Sequence, residues 1–140
     1  MCRKNKEEKV NFSNFFNKID SSYSGLDFSN KLEYSEELNI IEYLYFYNGG
    51  GVAIGDINND GLDDIYLSAN QKKDQLYINL GNLKFKNITK TSGLDSLSTW
   101  STGVAMADVN GDGWLDIHVS KVGNYKSLKA HNLIYINQKN

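Results

Sequence analysis

Gly51 to Ile65 reads Gly-Val-Ala-Ile-Gly-Asp-Ile-Asn-Asn-Asp-Gly-Leu-Asp-Asp-Ile. Gly103 to Ile117 reads Gly-Val-Ala-Met-Ala-Asp-Val-Asn-Gly-Asp-Gly-Trp-Leu-Asp-Ile, 52 residues later at every position. A repeat of fixed offset constrains a fold strongly, because both copies must build the same local unit and bury the same face. The likeness resumes at Leu76-Tyr77-Ile78-Asn79 and Ile134-Tyr135-Ile136-Asn137, now 58 residues apart, so the second copy holds six extra residues around Gly123 to His131. A fainter echo pairs Phe16-Asn17-Lys18-Ile19 and Ser24-Gly25-Leu26 with Phe85-Lys86-Asn87-Ile88 and Ser92-Gly93-Leu94. The chain reads as the tail of one unit, one whole unit and most of another.

The units read as β. Val52, Ile54 and Ile57 precede the first loop and Ile65, Tyr66 and Leu67 follow it. These are short β-branched and aromatic runs bounded by Gly and Asn, too brief for helices. Glu42-Tyr43-Leu44-Tyr45-Phe46-Tyr47 reads as the clearest strand, with Tyr43, Tyr45 and Tyr47 on one face and Leu44 and Phe46 on the other, ended by Gly49-Gly50-Gly51. The one helical expectation lies near Asn11 to Ile19. With no proline in the chain, glycine and asparagine must supply the turns.

The repeated loops carry the chemistry. Asp56, Asn58, Asp60 and Asp64 stand at loop positions 1, 3, 5 and 9, and Asp108, Asn110, Asp112 and Asp116 at the same positions in the second copy. Alternate residues of a tight loop project towards one centre, so each loop gathers three carboxylates and one amide oxygen. Carboxylates crowded in this way repel, and a hard divalent cation relieves the repulsion. Calcium takes six to eight oxygens, which points to two Ca2+ sites. The carbonyls of Leu62 and Trp114 at position 7 are the expected main-chain ligands, and Asp64 and Asp116 the expected bidentate ones. Gly61 and Gly113 at position 6 permit the sharp turn. Magnesium demands stricter octahedral geometry, and zinc would want His or Cys, which the loops lack. An EF-hand needs Glu at position 12 and flanking helices; position 12 is Leu67 or Val119, each in a strand pattern.

These residues resemble the FG-GAP/VCBS calcium-binding repeats of integrin α heads and of bacterial surface proteins, including those with ASPIC/UnbV domains. The resemblance runs over Gly49 to Asn79 and Gly103 to Asn137, with Gly81 to Ile88 like an outer strand. It implies an all-β fold: a partial β-propeller of about two blades of antiparallel strands with calcium-loop hairpins, a fragment of a seven-bladed propeller. The Phe-Gly dipeptide is absent; Val52-Ala53-Ile54-Gly55 and Val104-Ala105-Met106-Ala107 stand in its place. Two blades cannot close a propeller, and a repeat cannot bury its apolar face alone, so the expectation is part of a longer protein. The domain reading is a polar tail or tether over 1–10 and a partial propeller over 11–140, with repeat 1 at about 42–94 and repeat 2 at about 95–140.

Composition narrows the function. A net charge of −2 with no basic stripe argues against nucleic acid as partner. No apolar run reaches the roughly 20 residues of a membrane span. The single cysteine, Cys2, forms no intrachain disulfide. With the polar run Arg3 to Lys9 behind it, Cys2 resembles the lipidated start of a bacterial lipoprotein, a route to membrane anchoring that requires a signal segment upstream. His118 occupies the position of Tyr66, and His131 lies in the insertion; neither has a catalytic companion. Trp100 and Trp114 read as packing residues with a sugar- or protein-binding face as the other option, as does the Tyr43 to Tyr47 stripe. Paired carboxylates could suggest acid–base catalysis, but these are committed to calcium, and no nucleophile with an adjacent base appears. The expectation is a non-enzymatic, calcium-binding interaction module of a secreted or cell-surface protein, binding a protein or glycan. The alternative is the non-catalytic propeller part of a larger extracellular lyase or hydrolase.

Overall fold

Two antiparallel sheets follow one another along the chain in a computed structural model that describes residues 15–94 and 100–139. The first sheet runs in the order β1 (Val52–Gly55), β2 (Asp64–Leu67), β3 (Gln75–Asn79), β4 (Phe85–Asn87). The second runs β5 (Ser101–Ala107), β6 (Asp116–Lys121), β7 (Leu133–Tyr135). Each is a meander of sequential neighbours, the form expected of a propeller blade. The register reproduces the sequence offsets: Ala53 opposes Tyr66 and Tyr66 opposes Leu76, as Ala105 opposes His118 and His118 opposes Ile134. The insertion in the second copy forms a small turn in which Tyr125 bridges to Leu128.

Among the described residues helix is confined to α1 (Ser21–Ser24), capped by the Asp20 carboxylate accepting from the Ser22 N–H at 2.8 Å. The helix expected near Asn11 to Ile19 is absent over 15–19, and its first residues, with Cys2 and the 1–10 tail, lie outside the described residues. The single turn starts later because the cap is at Asp20 and Gly25 ends it in the left-handed region at φ 77. Gly93 adopts φ 76 after β4, so the faint upstream echo does mark a shared local turn.

The expected strand at Glu42 to Tyr47 is instead a run of turns. The Asn39 side chain accepts from the N–H groups of Ile41 and Glu42 at 2.9 and 3.1 Å, and Tyr43 N–H returns to the Asn39 carbonyl at 2.8 Å. Such local bonding competes with a sheet ladder. Tyr43 and Phe46 are therefore buried together, three residues apart, while Leu44, Tyr45 and Tyr47 are exposed. Their rings pack with Trp100, with centroids 5.5 Å away in each case. Trp100 is thus a packing residue, as its position suggested, and tertiary contact has overridden the alternating pattern.

β1 has an unusual burial pattern. Its apolar residues Val52 and Ile54 face outward, and its small residues Ala53 and Gly55 face the core. The reason is proximity. A β-carbon on Gly55 would stand 2.7 Å from Leu115 Cδ1, so the core face of β1 lies close against the second sheet and takes only small residues unless Leu115 shifts. The main core joins the Ala53–Tyr66–Leu76 row of the first sheet, and Leu94 beyond β4, to Ile117 and Val119 of the second, with Val104, Met106, Leu133 and Tyr135 packed against it. The row of the second sheet equivalent to Ala53–Tyr66–Leu76 is Ala105–His118–Ile134. It lies open, with Ala105 exposed and Ile134 at 59 % exposure.

Candidate metal loops and the seam between the sheets

Each Asp-rich loop joins the first two strands of its sheet, and the two copies share nearly the same hydrogen bonds. In the first, Asp56 accepts from the N–H groups of Asp60 and Gly61 at 3.1 and 2.7 Å. Asn58 Oδ1 accepts from the same Asp60 N–H at 3.0 Å, and Asp60 Oδ1 accepts from Leu62 N–H at 2.8 Å. In the second, Asp108 accepts from Asp112 and Gly113 N–H at 3.1 and 2.8 Å, Asn110 from Asp112 at 3.1 Å, and Asp112 from Trp114 at 3.0 Å. Gly61 and Gly113 hold φ of 87 and 85, the left-handed turn that a side chain would strain. Side chains at positions 1, 3 and 5 therefore curl over one short stretch of main chain in both copies.

The position-9 residues anchor the loops from below. Asp64 is fully buried, with Oδ2 accepting from Ile57 N–H at 3.1 Å and Oδ1 from Asn79 N–H at 2.8 Å. Asp116 repeats this with Val109 at 3.0 Å and Asn137 at 2.8 Å. Burial pushes the Asp64 carboxyl above its ordinary range; the Asn79 and Ile57 amides oppose the shift, and the carboxylates of Asp60 and Asp56 add to it. The Gly113 N–H holds Asp108 below its usual value. Asp112 is also lowered: burial pushes it up, but the Trp114 N–H and the Lys139 ammonium, 3.2 Å away, outweigh that.

Asn79 and Asn137 support the loops in a role the sequence left unread, although their matched places, at the end of β3 and just beyond β7, were a signal. Asn137 does more than its counterpart. Its Nδ2 donates to the Leu115 carbonyl at 3.1 Å and across to the Ile57 carbonyl of the first loop at 2.8 Å. Asn79 Nδ2 reaches only the Asp63 carbonyl of its own loop, at 2.9 Å. Asn59 Nδ2 adds a longer link to the Gly113 carbonyl, 3.4 Å.

The ligand set expected of each loop is all oxygen: three carboxylates, the Asn58 or Asn110 amide, and the Leu62 or Trp114 carbonyl. That chemistry fits a hard divalent cation and excludes a soft-ligand metal site. Among the described residues no three His, Cys, Asp or Glu side chains already stand as a metal-holding cluster. The three aspartates of each loop, expected to converge, are thus not gathered into one cluster in this structure; their oxygens accept from the loop amides instead.

A polar knot lies in the seam between the sheets. Buried Asp74 accepts from Ala69 N–H at 2.7 Å, Ser101 Oγ at 2.9 Å and Tyr66 Oη at 3.0 Å, and Lys121 Nζ stands 3.8 Å away. Burial lowers the Lys121 ammonium pKa, with Asp74 opposing the shift. Buried Asn70 donates to the carbonyls of Gly49 and Ser101 at 2.9 and 3.0 Å and exchanges bonds with Asn30. His118 is half-buried on β6 and His131 is exposed in the insertion, apart from both loops and knot.

Residues 56–119, from the first aspartate of one loop to beyond the last of the other, match the FG-GAP-like repeat family. Cartilage acidic protein 1 of Xenopus tropicalis is 38 % identical over 72 residues, which cover 51 % of this chain and 11 % of that protein. Its counterpart in Mus musculus is 35 % identical over 69 residues, 49 % of this chain and 11 % of that protein. The chain thus matches only a small part of the length of these relatives.

Proposed function

We propose that this chain, whose residues 56–119 match the FG-GAP-like repeat family, is a calcium-stabilised blade pair of a β-propeller, acting as a non-catalytic interaction module of a secreted or cell-surface protein. The observation that carries the calcium reading is the near-complete duplication of the loop network from Asp56 to Asp64 and from Asp108 to Asp116. The ion would be held by Asp56, Asn58, Asp60, Leu62 and Asp64 in one loop and by Asp108, Asn110, Asp112, Trp114 and Asp116 in the other. When bound it neutralises carboxylates that otherwise repel, and so tightens the first hairpin of each sheet. Extracellular modules hold calcium at about 10⁻⁴–10⁻³ M, which suits a protein exposed outside the cell. No described helix is long and apolar enough to cross a membrane. A lipid on Cys2 would hold the module at a membrane surface. The partner is a protein or glycan, for which the exposed rings of Tyr34, Tyr45 and Tyr47 offer stacking faces.

Thermal unfolding in calcium and in excess chelator tests this reading. Calcium at a hundredfold excess over Kd adds about 2.7 kcal/mol per site. Asp60→Ala and Asp112→Ala are each expected to remove part of the increase in Tm. An identical melt with and without calcium would refute the reading.

A further inference from the structure

The two loops are joined by a continuous hydrogen-bonded path. Asp64, the last aspartate of the first loop, accepts from the Ile57 N–H at 3.1 Å. The carbonyl of the same residue, Ile57, accepts from Asn137 Nδ2 at 2.8 Å. The Asn137 N–H in turn donates to Asp116, the last aspartate of the second loop, at 2.8 Å. One residue of the second sheet thereby holds the second loop with its main chain and the first loop with its side chain. Asn59 bonds in the opposite direction, to the Gly113 carbonyl at 3.4 Å. Leu115 of the second loop also packs so tightly on Gly55 that a β-carbon there would overlap it, at 2.7 Å.

We infer that Asn137 couples the two loops, so that an ion held in one raises the affinity of the other. This rests on the calcium reading above. An ion in the first loop fixes Ile57 and with it the acceptor for Asn137. Asn137 is then already placed to hold Asp116, so the second loop has less left to order when its ion arrives. Coupling between binding sites is reciprocal, so loading the second loop must aid the first by the same factor. A single net hydrogen bond corresponds to about fivefold in affinity. The path runs through Asn137 and not through Asn79, whose side chain stays within its own loop.

The test is calorimetric calcium titration of the full chain and of Asp60→Ala and Asp112→Ala, each with and without Asn137→Ala. Alanine at 137 keeps the N–H that serves Asp116 and removes the bridge to Ile57 together with the local side-chain bonds to Leu115 and Lys139, which Asn79→Ala parallels by removing the local bonds of Asn79 to Asp63 and Gly81. Expected is two-ion binding in which disabling either loop weakens the other by about fivefold, with that factor falling towards one in the Asn137→Ala background. Asn79→Ala should leave the factor unchanged, which separates a specific bridge from general loosening. Two ions bound with no effect of either loop on the other would overturn the coupling while leaving the calcium reading intact. So would a factor that survives Asn137→Ala. No calcium binding by the unaltered chain would overturn both.

Discussion

Gly51 at the start of the first sheet lies directly against Gly103, its equivalent in the second. A β-carbon on Gly51 would stand 3.1 Å from Gly103 Cα and 3.0 Å from the Val104 nitrogen. Both obstacles are main chain, so they cannot swing aside. Gly51→Ala should push β1 away from β5 and destabilise the protein by about 1–3 kcal/mol, as overpacking does. Chemical denaturation is the measure; an unchanged urea midpoint would mean that the strands are less closely apposed.

Asp74 receives donors from three directions in a seam closed to water, and the side chains of Asp74 and Lys121 are each only 3 % exposed. Removing one partner of such a pair strands the other. Asp74→Ala is expected to cost about 3–5 kcal/mol, and Lys121→Met combined with Asp74→Asn less than the sum of the separate changes. Denaturant unfolding of the four proteins in a double-mutant cycle gives the interaction directly, and simple additivity would contradict the pairing.

Tyr77 is buried and its hydroxyl meets Asp27 at 2.8 Å. Burial first, and the Asp27 carboxylate second, push its pKa up to about 12, and Tyr66 is raised further still for the same first reason. A folded-state value above the unfolded one, about 10, favours the folded protein below pH 10. That advantage disappears as pH rises towards 12, because the unfolded chain ionises first. The urea midpoint should therefore fall over this alkaline window, and Tyr77→Phe should make the fall shallower. A midpoint equally steep in Tyr77→Phe would remove Tyr77 as the cause.

What the sequence disclosed is what the two copies share. The 52- and 58-residue offsets became strand register, the loop aspartates fell at equivalent places, and Gly61 and Gly113 took the backbone that only the shared loop requires. What it concealed is where the copies differ. Asp74, Asn70, Ser101 and Lys121 tie one sheet to the other, and a contact between two copies uses different residues on each side, so no comparison of copies reveals it. The outward placing of Val52 and Ile54 was not legible for a related reason. Apolar alternation shows which residues share a face, while the closeness of the neighbouring backbone decides which face is buried, and here only Ala53 and Gly55 were small enough. At Glu42 to Tyr47 the alternation was aromatic, and turns set by Asn39 together with the ring of Trp100 gathered Tyr43 and Phe46 instead.

The covered row Ala53–Tyr66–Leu76 and the open row Ala105–His118–Ile134 are the same positions of one repeat. A contact that joins unlike sides of like units has a head and a tail. Any further unit that seats on the open row in the same manner must make the same rotation that carries the first sheet onto the second, and the next must make it again. The size of that one step then decides the outcome: a step that divides a full turn closes into a ring, and any other winds onward as a spiral. The two sheets thus contain, in a single angle, the plan of whatever larger object is assembled from such units.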